Sequence, residues 1–306
     1  MNGRFTLGWK YKISDEYRYV KSISTTPNGK YIAVGDSPFL DDNKKSNVYL
    51  FNREGELLWK YETDSDVNSV AISADGEYIV AGSDNVYLFN REGELLWKYK
   101  VQGTVGTMSV TPDGEYIVAG SDNIYFFSRE RELLWKYKVD NQSLIGLPVR
   151  LRGNNVRSVA ITPDGEYIVA GIDNAYLFDK RGKLLQKCKI GKWTESVAIS
   201  PDGEYIVAGS KGREESYIYL FNKKGKLLWS YWAENDIYSV FITSDGQYIV
   251  AGEAYIIGGE YIYFLNREGE LLWKYKIEGI QSMSVTPDGE YIVAGSGNHI
   301  YLFVSL

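Results

Sequence analysis

One repeated segment dominates this chain of 306 residues. The stretch SVAISADGEYIVAGSDNVYLFNREGELLWKYK, which begins at Ser69, recurs with few changes along the whole sequence. Each copy carries an Asn-Gly or Asp-Gly pair, and these pairs begin at Asn28, Asp75, Asp113, Asp164, Asp202, Asp245 and Asp288. Successive pairs are 47, 38, 51, 38, 43 and 43 residues apart, so seven units of one design differ mainly in loop length.

Four short strand-like segments follow one another within each unit. In the second unit they are SVAIS, EYIVAG, VYLF and ELLWKYK, separated by ADG, SDN and NREG turns. Antiparallel strands with no helix to cover them must bury both sheet faces against neighbouring sheets, as radially packed sheets do. We therefore predict an all-β, seven-bladed β-propeller of four-stranded antiparallel blades, forming a single domain over residues 1–306.

The two ends of the chain suggest how such a ring closes. The seventh unit has three strand segments and stops at Leu306, whereas residues 7–12 read LGWKYK ahead of the first unit. We predict that residues 4–13 supply the outer strand of the last blade, which would remove an open sheet edge. On this hypothesis, deletion of residues 1–13 strongly lowers the melting temperature.

Two repeat motifs carry a family resemblance that covers nearly all of the chain. DGEYIVAGS followed by VYLF resembles the WD-repeat class, although the Gly-His and Trp-Asp dipeptides are absent. NREGELLWKY is similar to the Gly-x-x-x-Trp docking turn of pyrroloquinoline-quinone-type propeller repeats. The resemblance implies a propeller scaffold that presents a surface to a ligand or partner. The adjacent cysteine pair of quinone-dependent dehydrogenases is missing, because Cys188 is the one cysteine, so the resemblance implies no such activity.

Composition excludes several kinds of site. The chain has 34 basic and 40 acidic residues, a formal charge of −6, which disfavours general nucleic-acid binding. One His and one Cys do not suffice for a structural zinc site or a disulfide framework. No signal-like segment or long apolar stretch is present, so we expect a cytoplasmic protein without a membrane anchor. No cofactor is predicted.

Strand direction predicts that one face of the propeller varies. The Asp-Gly and NREG turns share the face that is nearly the same in every unit, and we interpret them as structural. The large insertions fall on the opposite face, within residues 35–47, 139–156, 209–217 and 252–261. Within the second of these, Arg150 and Arg152 form a basic partner loop with Arg157, and Trp232 is added as a loop aromatic.

The start of the innermost strand shows a sharper pattern. The eighth residue before each Asp-Gly or Asn-Gly pair is apolar or β-branched, while its two neighbours vary from unit to unit. Alternation along a strand explains one packed position between two that point elsewhere. We predict that these variable residues surround the mouth of the central channel and bind a partner. They are Tyr19, Lys21, Asp66, Asn68, Asn155, Arg157, Trp193, Glu195, Asp236, Tyr238 and Gln281.

These observations predict a non-enzymatic binding or scaffold propeller whose variable face takes a protein, a peptide or a small polar ligand. The alternative is a metal-dependent hydrolase or lyase at the channel mouth, where Asp66, Glu195 and Asp236 would offer oxygen ligands. A structural oligomerisation module is a second alternative. His299 is interpreted as an exposed turn residue, and Cys188 as a packing residue in an outer strand weakened by Gln186.

Overall fold

A computed structural model describes residues 18–38, 45–139, 156–190, 193–212, 215–253, 259–278, 280–285, 291–296 and 299–304. These residues form β-strands and turns and include no helix, and thus no helix capable of crossing a bilayer. The strands make six four-stranded antiparallel sheets and one three-stranded sheet, each with its strands in chain order. The chain divides into two compact units, Met1–Asn155 and Val156–Leu306.

The first unit contains three of the four-stranded sheets. Their strands are β1 (Arg18–Thr25), β2 (Tyr31–Pro38), β3 (Ser46–Asn52) and β4 (Leu57–Thr63); β5 (Ser69–Ile72), β6 (Tyr78–Gly82), β7 (Asn85–Asn90) and β8 (Leu95–Lys100); and β9 (Thr107–Val110), β10 (Tyr116–Gly120), β11 (Asn123–Ser128) and β12 (Leu133–Lys138). The four strand segments predicted for each repeat are confirmed in all three sheets.

The second unit contains three four-stranded sheets and the three-stranded one. Their strands are β13 (Ser158–Ile161), β14 (Tyr167–Gly171), β15 (Ala175–Asp179) and β16 (Leu184–Cys188); β17 (Trp193–Ile199), β18 (Tyr205–Lys211), β19 (Ser216–Asn222) and β20 (Leu227–Ala233); β21 (Ile237–Ile242), β22 (Tyr248–Glu253), β23 (Gly259–Asn266) and β24 (Leu271–Glu278); and β25 (Ile280–Val285), β26 (Tyr291–Ser296) and β27 (His299–Val304). Residues 4–13 lie outside the described residues, so closure of a seven-bladed ring stays a prediction.

The Asp-Gly turn has a hydrogen-bond pattern that explains its repetition. In the turn between β5 and β6, the Asp75 carboxylate accepts bonds from the Ser73 hydroxyl at 2.5 Å and from the Glu77 N–H at 2.9 Å. Gly76 takes φ of 73°, which its missing side chain permits. Arg91 of the following turn donates to the Asp75 carbonyl at 2.8 Å, so both turns lie at one end of the sheet.

The outer-strand tryptophans Trp59, Trp97 and Trp229 dock on the next sheet. The Trp59 indole N–H donates to the Arg91 carbonyl at 2.8 Å, and the Trp229 indole does the same to Arg267. The Trp59 ring lies on Gly93, where an added Cβ would fall 2.6 Å from the ring. The docking turn indicated by the NREGELLWKY motif is therefore a contact between successive sheets.

The repeated tyrosine after the Asp-Gly turn packs in the same way. The ring of Tyr31 lies against Gly76 of the next Asp-Gly turn, and the Arg91 guanidinium is 5.0 Å from the ring centre. The equivalent Tyr167 lies against Gly203. Much of the aromatic content thus packs neighbouring sheets together, where such rings bury a large apolar area.

A serine in the first strand of a sheet bonds the first strand of the next. The Ser22 hydroxyl of β1 accepts the Val70 N–H of β5 at 3.0 Å, and Ser196 of β17 accepts the Val240 N–H of β21 at 3.0 Å. First strands of successive sheets therefore lie side by side within each unit. This arrangement brings their N-terminal ends to a common edge, where the candidate site lies.

The outer strand of the fourth repeat departs from the others. β16 has five residues, and Gln186 stands against Gly225 where Trp59 and Trp229 stand against their glycines. Cys188 is fully buried, and burial raises the pKa of its thiol to about 11. The interpretation of Cys188 as a packing residue agrees with this position, because a buried thiol with a raised pKa is a poor nucleophile.

Candidate binding site

The variable residue at the start of the first strand is a β-bulge in four sheets. The register of first and second strands shifts at this position, so that the residue has no cross-strand partner. A bulge redirects a side chain away from the regular alternation of the strand. The bulged positions are Lys21, Glu195, Tyr238 and Gln281. The predicted partner-binding position therefore coincides with an irregularity of the backbone that the scaffold repeats.

The residue just before the variable position anchors the start of the first strand. Val67, Val105, Thr194 and Ile237 are fully buried, as the sequence pattern predicts. Ile237 packs on Gly209, the glycine that ends the EYIVAG segment of the preceding sheet. Val20 is the exception, since it is exposed.

Arg157, Trp193 and Glu195 meet at the start of β13 and β17. The Arg157 guanidinium lies 4.1 Å from the centre of the Trp193 ring, close enough for a cation–π contact. Its Nη1 is 2.8 Å from Glu195 Oε1 and donates a hydrogen bond to Oε2 at 3.1 Å. The structure thus brings together three residues that the sequence pattern placed on one channel mouth.

Lys211, Tyr238 and Asp236 form a second group beside the first. The Lys211 ammonium donates to the Tyr238 hydroxyl at 2.6 Å and lies 3.6 Å from the Asp236 carboxylate. Burial lowers the pKa of Lys211, but the hydrogen bond to Tyr238 and the charges of Glu195 and Asp236 outweigh it, so the pKa lies above its usual value. Lys211 is therefore a cation at physiological pH.

Sequence reasoning missed Lys211, although the register places it within the site. Lys211 is the last residue of β18 and pairs directly with Trp193 at the start of β17. Side chains of directly opposed residues lie about 5 Å apart at Cβ. The two groups therefore join into one surface, which we call the rim cluster: Arg157, Trp193, Glu195, Lys211, Asp236 and Tyr238.

The acidic side chains of the rim cluster are less exposed than the basic ones. The side chains of Glu195 and Asp236 are 8% and 17% exposed, whereas those of Arg157 and Lys211 are 26% and 41% exposed. Trp193 and Tyr238 are exposed large aromatics. The two carboxylates therefore lie deeper than the two cations, and the groups exposed to solvent are mainly cationic and aromatic.

Asp236 also holds the loop that follows β18. Its Oδ1 accepts bonds from the Ser216 hydroxyl at 3.0 Å and from the Gly212 N–H at 3.2 Å. The equivalent Asp66 of the first unit accepts from the Ser46 hydroxyl at 3.4 Å. Both aspartates lie at the predicted edge, and both accept a hydrogen bond from the serine that begins the third strand.

Two of the remaining predicted residues, Lys21 and Asn68, lie in the first unit. Lys21 is exposed, and Asn68 donates from its side chain to the Val105 carbonyl at 3.4 Å. Trp232 lies in strand β20, paired with Tyr217, rather than in a loop. The expectation of a loop position was wrong because β20 continues through Ala233. Outside the described residues or side chains lie Tyr19, Arg150, Arg152, Asn155 and Gln281.

Two buried carboxylates were also not identified by the sequence analysis. Glu253, at the end of β22, accepts the Tyr263 hydroxyl at 2.5 Å, the Asn235 N–H at 3.0 Å and the Tyr261 N–H at 3.1 Å. Asp36 in β2 accepts the Tyr49 hydroxyl at 2.8 Å. Several other copies have serine at the position of Asp36 and Glu253. An acid at this position, in a repeat with a long loop between second and third strands, is the sequence feature that could have revealed them.

No group of three His, Cys, Asp or Glu side chains suited to a metal ion occurs among the described residues. Glu195 is paired with Arg157, and Asp236 is hydrogen-bonded to Ser216. The exposed side chains of the rim cluster are cation donors and aromatic rings at a strand edge, which are groups that binding sites use.

The repeat motifs and the sheet architecture are shared with known proteins. Residues 44–186 match a family model described as outer membrane protein assembly factor BamB. The structure is similar to Kuenenia stuttgartiensis hydrazine synthase, with a TM-score of 0.70 and 14% identity over 97% of this chain and 99% of that chain. It is also similar to a chain in a crystal structure of the mitotic checkpoint complex, with a TM-score of 0.73 and 15% identity over 100% of this chain and 99% of that chain.

The chain has a β-propeller fold, and the family match is confined to residues 44–186. At such identities the structural likeness shows the fold, and a propeller fold hosts many functions. No curated protein sequence matches this propeller. The rim cluster therefore has to be interpreted from its own residues.

Proposed function

We propose that this propeller is a non-enzymatic binding protein that presents the strand edge carrying the rim cluster to a protein, a peptide or a small polar ligand. The observation that carries the proposal is the contact of Arg157 with Trp193 beside Lys211 and Tyr238. An exposed aromatic surface with a few placed polar groups is typical of binding sites.

The repeats supply an internal control for this proposal. At the opposite end of the sheets, the Asp-Gly turns make the same hydrogen bonds in copy after copy, as with Asp75 and Asp245. At the rim, the bulge holds Lys, Glu, Tyr or Gln on the same backbone. Scaffold positions keep one residue type, so divergence at a repeated irregularity favours a role outside the scaffold.

The contacts of Glu195 and Asp236 favour a binding function over a hydrolase or lyase activity. Glu195 is engaged with Arg157, and Asp236 supports Ser216 and Gly212, so each carboxylate already has a structural partner. General acid–base catalysis needs a group within reach of the substrate's proton. The mitotic checkpoint complex, in which a similar propeller occurs, is named as an assembly, which supports a protein partner for this chain as well.

A pull-down from an extract of the source organism tests the proposal. The bait proteins are the native chain, the double variants Arg157→Ala/Trp193→Ala and Lys211→Ala/Tyr238→Ala, and a control, Lys223→Ala. Lys223 is a close match for Lys211, because it lies 4.5 Å from the Tyr167 ring centre and 3.0 Å from the Glu204 carboxylate. It lies beside the Asp-Gly turns, away from the rim.

We expect a protein that native bait and Lys223→Ala retain and that both rim variants lose, as measured by quantitative mass spectrometry. Thermal melting of each bait verifies that it is folded. Recovery of the same proteins in the same amounts by all four folded baits would contradict a role of the rim in binding.

A further inference from the structure

We propose that the rim cluster binds a carboxylate of an acidic peptide segment between Arg157 and Lys211, with Trp193 and Tyr238 contacting the peptide's apolar atoms. This inference rests on the proposed function and names the chemistry of its partner. It rests first on the different burial of the acidic and basic side chains. The two acids of the cluster are more buried than the two cations, so the face that a partner meets is positive.

The positions of the two cations define one binding spot. Arg157 stacks on the Trp193 ring at 4.1 Å, and Lys211 is the direct cross-strand partner of Trp193. Both cations therefore flank the same indole. A carboxylate has two oxygens that can accept separate hydrogen bonds, one from each cation, while the exposed part of the Trp193 ring contacts apolar atoms of the peptide.

The cations also keep donors for a ligand. A guanidinium has five N–H donors, and the contact of Arg157 with Glu195 uses Nη1. An ammonium has three donors, and Lys211 directs one to the Tyr238 hydroxyl. Glu195 and Tyr238 thus fix the direction of the two cations, and within the described part of the chain their other N–H groups are left for an incoming acceptor. A pre-oriented donor loses less side-chain entropy on binding.

The same acids argue against a nucleic acid as the partner. Two cations and two carboxylates give the cluster a balanced charge, and the whole chain carries −6. Nucleic-acid binding depends on many uncompensated cations that replace counterions along the phosphate backbone. A peptide with one or two acidic side chains needs a local match of charge, which the exposed cations provide.

Fluorescence anisotropy tests the inference on the full chain. The probe is a short fluorescein-labelled peptide of alternating Glu and Tyr, compared with the same peptide carrying Gln for Glu and with a labelled oligodeoxythymidylate of equal length. We expect the Glu peptide to bind most tightly. Arg157→Ala or Lys211→Ala should weaken it by between about twofold and tenfold, as for a partly exposed ion pair. Lys211→Arg should retain binding, and Lys223→Ala should leave it unchanged.

Several results would overturn the inference: no binding of the Glu peptide, equal binding of the Gln peptide, tighter binding of the oligonucleotide, or equal losses in Lys223→Ala and Lys211→Ala. The pull-down separates this failure from failure of the proposed function. If the rim variants lose a cellular partner but the native chain does not prefer the Glu peptide, the rim binds a partner that is not acidic. If the rim variants change neither the recovery of partners nor the affinity for the peptide, both the proposed function and the inference are contradicted.

Discussion

Gly35 in β2 lies directly against Val67 at the start of the next sheet. A Cβ added to Gly35 would come within 2.5 Å of Val67 Cγ1 and 3.1 Å of its carbonyl oxygen. Val67 is fully buried, and its N–H donates to the Asp36 carbonyl at 3.2 Å, so it has little room to move. The glycine that ends EYIVAG therefore sets how closely neighbouring sheets approach at the rim.

Gly35→Ala should destabilise the protein, although alanine is ordinarily the better residue within a strand. Overpacking of this kind costs about 1–3 kcal/mol, measured as a shift of the urea unfolding midpoint. Val67→Ala provides the control, because it removes the methyl groups that clash. The double variant should lose less stability than the sum of the two single variants. Strict additivity of the two losses would contradict the close packing of Gly35 and Val67.

Repetition explains what the sequence could predict. The strand segments, docking tryptophans and turn glycines recur in several copies, so alignment of the chain with itself reveals them. The bulged position was found in the same way, through residues such as Glu195 and Tyr238 that differ where their neighbours agree. Lys211 was missed because it lies at the start of an insertion, where no other copy can be aligned with it. Its pairing with Trp193 follows from strand register, which depends on the fold.

Glu253 offers a test of how a buried carboxylate links the end of β22 to β23. Its carboxylate is fully buried and accepts bonds from Tyr263, Asn235 and Tyr261. Burial first, and then the hydrogen bond to Glu253, raise the pKa of the Tyr263 hydroxyl, which keeps it a donor. Several other copies have serine at the position of Glu253, but a serine has one hydroxyl and a shorter reach.

Glu253→Ser should therefore leave buried donors without acceptors and cost about 2–4 kcal/mol in the free energy of unfolding. The same substitution at the exposed Glu268 is the matched control, and it should change stability by less than about 0.5 kcal/mol. Both are measured by urea unfolding. Equal stability of the two variants would show that the Glu253 network contributes nothing to the fold.

The state of Cys188 predicts its reactivity. Burial raises the pKa of this thiol to about 11, so at pH 8 about one molecule in a thousand carries the reactive thiolate. We expect very slow modification by a disulfide reagent such as DTNB in the native protein, and rapid modification in guanidinium chloride. A Ser230→Cys variant places a second thiol at an exposed position of β20, where it should react quickly under native conditions. Fast native labelling of Cys188 would contradict its burial.

The Asp-Gly turns predict a specific pH dependence of stability. Hydrogen bonds from the Thr243 hydroxyl and the Gln247 N–H lower the pKa of Asp245 below its ordinary value of 3.8. In Asp113, Asp164 and Asp202, burial acts in the opposite direction, but equivalent hydrogen bonds outweigh it and the pKa is also lowered. A carboxyl group with a lowered folded pKa stabilises the fold above its unfolded pKa, and this contribution is lost as the pH falls through the folded value.

The first repeat supplies the variant for this test, because Asn28 accepts the same two bonds, from the Thr26 hydroxyl at 2.8 Å and the Lys30 N–H at 2.9 Å. Replacement of Asp113, Asp164, Asp202 and Asp245 by Asn should thus keep the turns and remove their charge. Each carboxylate is largely exposed, so the effect of one is small and four are changed together. The native chain should lose more stability than the variant between pH 6 and pH 2.5, as followed by urea midpoints. Parallel curves for the two proteins would mean that the turn aspartates do not contribute to acid unfolding.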